Sequence, residues 1–385
     1  MLALLFFVTF GAPGRTLKHI FEDGVGICTD WISGILQAQD VSEPVRALVV
    51  EGVCAGIGSV LSFLPVIGIL FAGLSILQEC GYLKFISNLL DPAFRTFGLS
   101  GEALAPMLTG FGCSVPAMLA AERMESPGER KLTVFLIPYM SCSAKIPLCA
   151  IMCGAMLGER AWMGILIFYA TGGLIAAGIS LAYKTLRRRR VGDAAQELSR
   201  DRRRYYGLKL SCPDFRRVAV CTADNMMGFV KKAVTVILVA STVIWTFENF
   251  DASFNLVTNP EHSILANLGK LAAPLFEPLG LEDWRIVTAL LSGLSAKEAV
   301  LSTITVLAYP AKGDVAGMVN GIFTPVTAAS FLVFYLLYAP CIASLATVRK
   351  VTGGWRYALA MACVQTFLAW TAAFIVYQTG HFLGF

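Results

Sequence analysis

Long apolar runs without a charged side chain recur along the whole chain. A membrane-spanning helix needs about 20 consecutive apolar residues. Four runs meet that length, at residues 52–77, 161–183, 322–348 and 357–380. Three further runs, at residues 132–157, 233–247 and 286–309, are shorter or are interrupted by charge. Because the runs are continuous rather than alternating, they predict spanning helices and exclude a membrane β-barrel.

The composition agrees with this pattern. Of the 385 residues, 56% are hydrophobic and only 15% are charged, which is more apolar surface than one soluble core could bury. We therefore predict an all-α, polytopic membrane protein. The apolar segment at residues 1–14 is too short to span and lacks the positive start of a signal peptide, so it is interpreted as the end of a truncated first helix. Eleven cysteines without paired spacing argue against a disulfide framework.

Positive charge is concentrated in one connection, which contains KTLRRRR at 184–190 and RDRRR at 200–204. Cytoplasmic loops carry an excess of lysine and arginine, so this connection is predicted to be cytoplasmic. Binding of nucleic acid is the weaker interpretation of a basic run next to a membrane. The predicted organisation is a truncated helix with an interfacial segment at 1–48, a first repeat at 49–183, the basic loop at 184–227 and a second repeat at 228–385.

The two halves resemble each other. Residues 91–112 are similar to residues 273–295, and Gly98 matches Gly280 within them. In a second stretch Cys142 matches Cys341. Repeated halves in transporters often have inverted topology, with the substrate site where the repeats meet. We predict inverted repeats, in which the segment GFGCSVPA enters the membrane and returns on the cytoplasmic side; parallel halves, with every segment crossing, are the alternative.

The segment GFGCSVPA, at 110–117, predicts a break in the helix. Gly110 and Gly112 permit torsions and close approach that other residues resist, and Pro116 has no amide proton to donate. The segment LSGLSAKEA, at 291–299, occupies the matching position in the second half. Lipid offers no hydrogen bonds, so an open backbone must face protein or a wet cavity. We expect freed carbonyl groups to share that space with a thiol, and a plain hinge is the alternative.

Three cysteines lie next to predicted breaks. Cys113 is part of GFGCSVPA, Cys142 follows Pro138, and Cys341 comes directly after Pro340. Thiolate sulfur selects borderline or soft cations, such as Fe²⁺, Zn²⁺ or Cu⁺, over Mg²⁺ and Ca²⁺. The pattern predicts a path for a soft metal ion that is lined by sulfur and by carbonyl oxygen.

Charged side chains interrupt two of the predicted spans. Lys145 lies three residues after Cys142, and Lys297 and Glu298 are neighbours that project about 100° apart on a helix. A lysine at the centre of a membrane helix costs about 2.5–3.5 kcal/mol, which predicts pairing or access to water. Each ammonium group is interpreted as an internal counter-ion that occupies a cation site until the metal arrives. A structural salt bridge or snorkelling to the surface is the alternative.

Four ordered motifs carry a family resemblance. They are GFGCSVPAMLAAER at 110–123, IPYMSCSAKIP at 137–147, GLSAKEAVLST at 293–303 and LLYAPCIASLATVRK at 336–350. Together they resemble the membrane domain of the ferrous-iron transport protein B (FeoB) family. The stretch LQECGYL also resembles a Glu-x-x-Gly-Tyr region of that family, although its order here is Glu79-Cys80-Gly81-Tyr82.

The resemblance implies uptake of Fe²⁺, as the transported substrate, across the bacterial cytoplasmic (inner) membrane between two gate repeats. Cys113, Cys142 and Cys341 match the family's proposed metal-path cysteines, and Glu79 and Glu298 are expected to add oxygen ligands. Family members carry an N-terminal GTP-binding domain, so the GTPase is expected on a separate chain or in a missing domain. The other expected partners are the lipid bilayer, a small accessory cytoplasmic protein and further copies of the chain, but no nucleic acid.

No soluble catalytic signature is present. The chain contains no GxxxxGK[ST], HExxH, GxSxG or CxxC pattern, so we predict neither an enzyme nor nucleotide binding. Two other functions stay open. One is a gate-type permease for an organic anion or nucleoside, in which Lys297 and the ends of the broken helices hold a negative group. The other is a membrane scaffold that transports nothing.

Overall fold

Helices make up almost all of the structure. The computed structural model describes residues 12–39, 43–191, 213–230, 235–251, 253, 255–257, 259–308 and 315–383. Within these ranges the one strand-like feature is an isolated bridge between Phe250 and Leu256. The prediction of an all-α protein is confirmed.

Eighteen α-helices, numbered in chain order, lie in the described ranges. The first nine are α1 Ala12–Ala38, α2 Glu43–Ala47, α3 Ala55–Glu79, α4 Tyr82–Thr96, α5 Leu104–Gly110, α6 Ser114–Ala121, α7 Pro127–Leu136, α8 Ile146–Leu157 and α9 Ala161–Val191. The others are α10 Phe215–Phe229, α11 Thr235–Asn249, α12 Ile264–Phe276, α13 Trp284–Ser292, α14 Ala299–Ala308, α15 Val315–Ile322, α16 Pro325–Leu337, α17 Ile342–Thr352 and α18 Trp355–Phe382. A π-helix, Leu48–Cys54, joins α2 to α3.

Three described stretches are long and apolar enough to cross a membrane: Pro127–Leu186, Pro325–Thr352 and Trp355–Phe382. A fourth crossing is formed if Leu64–Glu79 and Tyr82–Thr96, which are bent by 77°, count as one span. The run at 322–348 was predicted to span the membrane and to open near Cys341, and the structure confirms the opening. Its chain is extended at Tyr338 and Cys341, on either side of Pro340, so the span is divided between α16 and α17.

Four predicted segments fall partly outside the described residues; in the runs at 233–247 and 286–309 these are residues 233, 234 and 309. Of the apolar segment at 1–14 only residues 12–14 are described, and they begin α1. In the basic connection, residues 192–212 lie outside the described ranges. Its described flanks are helical and do not form a loop: α9 continues to Val191, and α10 begins at Phe215. Helix α10 packs against α3.

The two halves end equivalent helices in the same way. Gly98 and Gly280 follow α4 and α12 with φ values of 82° and 72°, a left-handed conformation that glycine adopts without steric cost. The amide of Leu99 then donates to the Phe94 carbonyl over 3.1 Å, and that of Leu281 to Phe276 over 3.2 Å. Both are helix-ending turns of the Schellman type. The repeat seen in the sequence is therefore also a repeat in backbone conformation.

The first of these turns lies on the same face as the basic end of α9. The Lys184 ammonium donates to the carbonyl of Arg95, at the end of α4, over 2.9 Å. Tyr183 lies within electrostatic range of Tyr357, whose hydroxyl donates to the Lys131 carbonyl over 2.9 Å. We call this side the basic face. The chain before α5 and the chain after α6 therefore both lie on the basic face.

The second turn lies on the opposite face. The Gln378 side-chain amide, near the end of α18, donates to the carbonyl of Pro278 over 3.2 Å. Between Tyr357 and Gln378 the helix rises about 31 Å at 1.5 Å per residue, close to the thickness of a bilayer core. Equivalent helix ends thus sit on opposite sides of the molecule. This is the geometry that inverted repeats require.

A core of aromatic side chains fixes α16 at the centre. Phe331 and Tyr335 are fully buried and stack with their ring centroids 6.1 Å apart. The buried Ser330 hydroxyl lies 2.9 Å from the carbonyl of Leu279 and 3.3 Å from that of Ala373, on α18. A polar tie of this kind holds the helix in position because its groups have no alternative partner in lipid. The end of α16 therefore presents a fixed set of carbonyl groups to the site.

Candidate functional site

Four interruptions of helices meet inside the molecule. Break 1 is residues 111–113, between α5 and α6; break 2 is residues 140–142, between α7 and α8; break 3 is residues 293–298, between α13 and α14; and break 4 is residues 338–341, between α16 and α17. Short 3₁₀ turns, Ile137–Tyr139 and Ser143–Lys145, flank break 2. Breaks 1 and 3 are the two that the sequence predicted from GFGCSVPA and LSGLSAKEA.

The breaks are joined in pairs by equivalent hydrogen bonds. After break 2, the amide and hydroxyl of Ser143 both donate to the Gly112 carbonyl of break 1, over 3.2 and 3.0 Å. After break 4, the amide of Ile342 donates to the Leu294 carbonyl of break 3, over 2.8 Å. Ser143 and Ile342 each follow one of the repeat-equivalent cysteines. Each half thus closes its two breaks against each other, which satisfies backbone groups that lipid would leave unpaired.

All three predicted cysteines occupy the same kind of position. Cys113, Cys142 and Cys341 have extended backbones and directly precede α6, the 3₁₀ turn before α8, and α17. The φ and ψ angles of Cys142 (−68°, 157°) and Cys341 (−61°, 156°) nearly coincide. The prediction that helices open at these residues is confirmed.

The three thiols lie in one region. Cys113 and Cys341 pack against the same small apolar cluster, which includes Phe71 and Ala343. Cys142 lies within electrostatic range of Cys341, and Cys113 within range of both. The Cys341 sulfur is also 3.3 Å from the Ser344 hydroxyl. Thiols from three separate breaks therefore lie in the same part of the molecule.

The glycines of break 1 serve close approach rather than unusual torsion. Neither Gly110 nor Gly112 has a positive φ, so the expected special torsions are absent at these two described residues. A Cβ added to Gly112 would lie 2.7 Å from a methyl of Leu70, and one on Gly110 would lie 3.2 Å from Cβ of Met140. The corresponding Cβ on Gly293 would meet Val300 and the Tyr338 hydroxyl. Glycine is needed at these positions because neighbouring segments pack too closely against the breaks for a Cβ atom to fit.

The prolines act differently at each break. Pro116 is buried in the first turn of α6, where its missing amide proton is not needed, so it starts a helix and does not break one. Pro138 lies in the 3₁₀ turn that ends α7, and Pro340 lies in the extended chain of break 4. The predicted breaks are therefore real, but only the last two prolines contribute to opening a helix.

The two membrane lysines bind backbone carbonyl groups. The side chains of Lys145 and Lys297 are 3% and 5% exposed, which excludes snorkelling to the surface. The Lys145 ammonium donates to the Leu336 carbonyl over 2.6 Å and to the Pro138 carbonyl over 3.3 Å. The Lys297 ammonium donates to the Ala339 carbonyl over 2.7 Å and lies 3.0 Å from the centre of a ring, described next. Unpaired carbonyls at helix ends carry partial negative charge, which the ammonium groups balance.

Two tyrosines complete the surroundings of Lys297. The ring that it contacts belongs to Tyr338, in break 4. The hydroxyl of Tyr335, one turn earlier on α16, donates to the carbonyl of Lys297 over 2.9 Å. Break 3 is thus attached to the end of α16 through both the side chain and the main chain of one residue.

The two predicted carboxylate ligands lie in different places. Glu298, in break 3, is half-buried and within electrostatic range of Cys113. Glu79 is the last residue of α3, at the 77° bend before α4. Among the described residues, no three His, Cys, Asp or Glu side chains form a ready metal-binding group.

Sequence reasoning missed one buried polar chain. Glu248, on α11, accepts a hydrogen bond of 3.1 Å from the hydroxyl of Thr303 on α14. That hydroxyl lies 2.7 Å from the hydroxyl of Ser292, the last residue of α13. The available signal was a carboxylate directly after the apolar run at 233–247. The hydroxyl partners come from two other helices, so no spacing in the sequence could reveal them.

The Gate (nucleoside recognition) family model matches the chain twice, at residues 60–156 and 230–355. The chain belongs to this family. Both matches fall inside the predicted repeats at 49–183 and 228–385, whose boundaries stay a prediction. The gate repeats and their apolar helices make the chain a multi-pass protein of the cytoplasmic membrane, as predicted.

The resemblance to the FeoB membrane domain is also confirmed. The chain is 34% identical to an Fe(2+) transporter FeoB of Staphylococcus aureus (strain COL), over 98% of this chain and 56% of the relative. It is 30% identical to an Fe(2+) transporter FeoB of Methanocaldococcus jannaschii, over 92% of this chain and 52% of the relative. It is 28% identical to a fusion of Fe(2+) transport protein A with FeoB from Porphyromonas gingivalis, over 98% of this chain and 49% of the relative.

The chain spans about half the length of the curated relatives that it matches. No solved structure matches it.

Proposed function

We propose that this chain passes Fe²⁺ across the bacterial cytoplasmic membrane along a path between its two gate repeats. Similarity over nearly the whole chain to proteins named Fe(2+) transporters supports the ion and the process. The observation that carries the proposed path is that three cysteines, each the last residue of its break, lie in the same part of the molecule.

The ligand chemistry suits an ion in transit. Sulfur favours Fe²⁺ over Mg²⁺ and Ca²⁺, and a transported ion must be held weakly enough to leave. Cys113, Cys142 and Cys341 come from three different breaks, so small relative movements of the halves change the number of thiols that the ion meets. Glu298 would add a carboxylate oxygen near Cys113, and Glu79 would act at the bend of its helix.

The buried lysines have a proposed role in the same path. Their ammonium groups hold the carbonyl groups of Leu336, Pro138 and Ala339 while no metal is present. A divalent ion that enters the breaks competes for the same oxygen atoms and displaces positive charge from them. Lys145 and Lys297 would therefore keep the closed breaks stable and yield to Fe²⁺.

The proposed partners follow from the relatives. A GTPase on a separate chain or in a further domain would control opening, since this sequence contains no phosphate-binding loop. A small accessory cytoplasmic protein is proposed because one relative is a fusion of Fe(2+) transport protein A with FeoB. Further copies of the chain are a third proposed partner.

Replacing both repeat-equivalent cysteines tests the path. In liposomes loaded with an Fe²⁺-sensitive dye, the double variant Cys142→Ser, Cys341→Ser is expected to take up Fe²⁺ about tenfold more slowly, because hydroxyl oxygen binds Fe²⁺ less well than sulfur does. The matched control is the double variant Cys28→Ser, Cys363→Ser, which changes two exposed cysteines and should transport normally. Equal rates in both variants, at equal amounts in the membrane, would make the two site cysteines packing residues only.

One observation favours a second candidate, a gate-type permease for an organic anion or nucleoside. Lys145 and Lys297 bring two positive charges to the breaks, and two α-helices and one 3₁₀ turn begin there. Helix N-termini bind negative groups. Against this candidate, both ammonium groups already bind carbonyl oxygen. The third candidate, a scaffold without transport, has no feature of the breaks in its favour.

A further inference from the structure

Three polar side chains form a series of hydrogen bonds that runs from a carboxyl group on α11 to the end of α13, directly before break 3. The carboxyl oxygen of Glu248 is 3.1 Å from the Thr303 hydroxyl, which is 2.7 Å from the Ser292 hydroxyl. The Ser292 hydroxyl is in turn 3.0 Å from the carbonyl of Ala289. Ser292 is fully buried and Thr303 is 9% exposed. The metal path described above uses none of these groups.

The number of hydrogen atoms available to this series of hydrogen bonds depends on whether Glu248 is protonated. Three contacts need three hydrogens, and the carbonyl of Ala289 can only accept. If Ser292 donates to Ala289, Thr303 must donate to Ser292, and the remaining hydrogen has to come from a protonated carboxyl group. If Glu248 is ionised, Thr303 donates to it, and the one remaining hydroxyl hydrogen, that of Ser292, can serve either Thr303 or the Ala289 carbonyl. One of the three contacts then has no hydrogen.

The end of this chain is part of the structure of break 3. The Ala289 carbonyl also accepts, over 3.0 Å, from the amide of Gly293, the first residue of the break. The hydroxyl of Ser295, within the break, donates to the Ser292 carbonyl over 2.7 Å. Any change in these hydrogen bonds therefore alters the contacts of the residues that shape break 3.

No described basic side chain forms an ion pair with Glu248, and its described hydrogen-bond partner is the Thr303 hydroxyl. The π-helix, α3, α12 and α17 pack against α11, and hydrogen bonds link it to α14 and α13. The charged side chains of these elements are Glu51, Glu79, Lys270, Arg285, Arg349 and Lys350, and break 3, between α13 and α14, adds Lys297 and Glu298. Three of the basic groups contact other partners: Lys270 the ring of Trp284, Arg349 the ring of Trp355, and Lys350 the carboxylate of Glu122.

We propose that Glu248 is a proton-binding site that controls break 3. With its proton bound, each of the three hydrogen bonds between Glu248 and the Ala289 carbonyl has a hydrogen, and break 3 is held closed. Loss of the proton leaves one of the three contacts without a hydrogen, which weakens the link from Glu248 to the carboxyl end of α13 and favours the open break. In this form the proposal rests on the proposed iron path, to which it adds a dependence on pH. Uptake of Fe²⁺ is expected to rise as the pH rises and Glu248 loses its proton.

The test compares the full chain with the variant Glu248→Gln, which keeps the shape and hydrogen-bonding capacity of the protonated side chain but cannot ionise. Thermal unfolding in detergent is measured between pH 5.5 and pH 8. For the unchanged chain, Tm is expected to fall with rising pH by at least about 2 °C more than for the variant. The matched control, Glu51→Gln, removes a carboxylate from an element that packs against α11 and should leave the pH dependence unchanged.

Uptake of Fe²⁺, kept reduced, into liposomes is the second readout, normalised at each pH to entry through an ionophore. The unchanged chain should transport faster at pH 8 than at pH 6, and Glu248→Gln should transport at the slower rate at both. A second variant, Thr303→Val, keeps the carboxyl group but removes the hydroxyl that links it to Ser292. Uptake by this variant should also lose its pH dependence.

The two proposals fail in different ways. If Glu248→Gln removes the pH dependence of Tm but neither protein moves Fe²⁺, the proton site stands and the iron path falls. If Fe²⁺ enters through both proteins with the same pH profile, and their Tm values change with pH alike, the proton site is overturned and the iron path stands. A Tm of the unchanged chain that does not vary with pH also overturns the proton site.

Discussion

Lys297 brings its positive charge to a place where a backbone carbonyl and an aromatic ring are its described partners. Its ammonium group binds the Ala339 carbonyl over 2.7 Å and lies against the ring of Tyr338. Replacing it by a side chain of similar length without charge leaves that carbonyl unpaired inside the membrane. An unsatisfied buried group of this kind costs about 1–3 kcal/mol. The same oxygen atom then becomes available to an incoming cation.

We therefore expect two effects of Lys297→Met. The free energy of unfolding should fall by about 1–3 kcal/mol, and Fe²⁺ should raise Tm more than it does in the unchanged chain. The matched control is Lys270→Met, because Lys270 also donates to a carbonyl, that of Glu261, and also lies over a ring, that of Trp284, but at an exposed position. Equal stabilisation by Fe²⁺ in both variants would contradict the role of Lys297 as an internal counter-ion.

The helices can be interrupted at the centre of the molecule because, in each half, the backbone of one break is hydrogen-bonded to the segment that follows the other break. The hairpin of α5 and α6 illustrates this: Ser143, from break 2, caps the carbonyl of Gly112 at its tip. Its two ends lie on the basic face, since Lys184 binds the end of α4 and Tyr357 binds the Lys131 carbonyl. A hairpin that enters and returns changes the number of crossings in the first half, and this inverts the second half.

Labelling of single engineered cysteines in intact cells tests this topology. The replacements Glu102→Cys and Glu125→Cys, at exposed positions before and after the hairpin, should both be protected from a membrane-impermeant maleimide. The replacement Glu159→Cys, between α8 and α9, should be labelled from outside and serves as the positive control. Labelling of Glu102→Cys from outside, with Glu125→Cys protected, would mean that the hairpin crosses the membrane and that the halves are parallel.

At the scale of the whole molecule, the sequence was sufficient for what depends on local pattern. Apolar runs predicted the spans, glycine-rich and proline-containing motifs predicted the breaks, and an offset such as that from Cys142 to Cys341 predicted the repeat. Contacts between distant segments could not be predicted in this way. Carbonyl partners of Lys145 carry no signature because every residue has a carbonyl group. The Glu248 hydrogen bonds join three helices, and the bond from the Ile342 amide of α17 to the Leu294 carbonyl of break 3 also joins distant segments.

The function of the assembled molecule can be separated from its alternatives by reconstituting the chain alone. A path built from Cys113, Cys142 and Cys341 needs no nucleotide to bind its ion, so Fe²⁺ should enter liposomes slowly through the chain itself, and labelled uridine should not. If opening is controlled by a partner GTPase, as proposed, adding a GTPase domain of the family with GTP should raise the rate. GTP without the domain is the control and should have no effect. Entry of uridine in place of Fe²⁺ would favour the nucleoside permease, and entry of neither, with or without the GTPase domain, would leave the scaffold as the better interpretation.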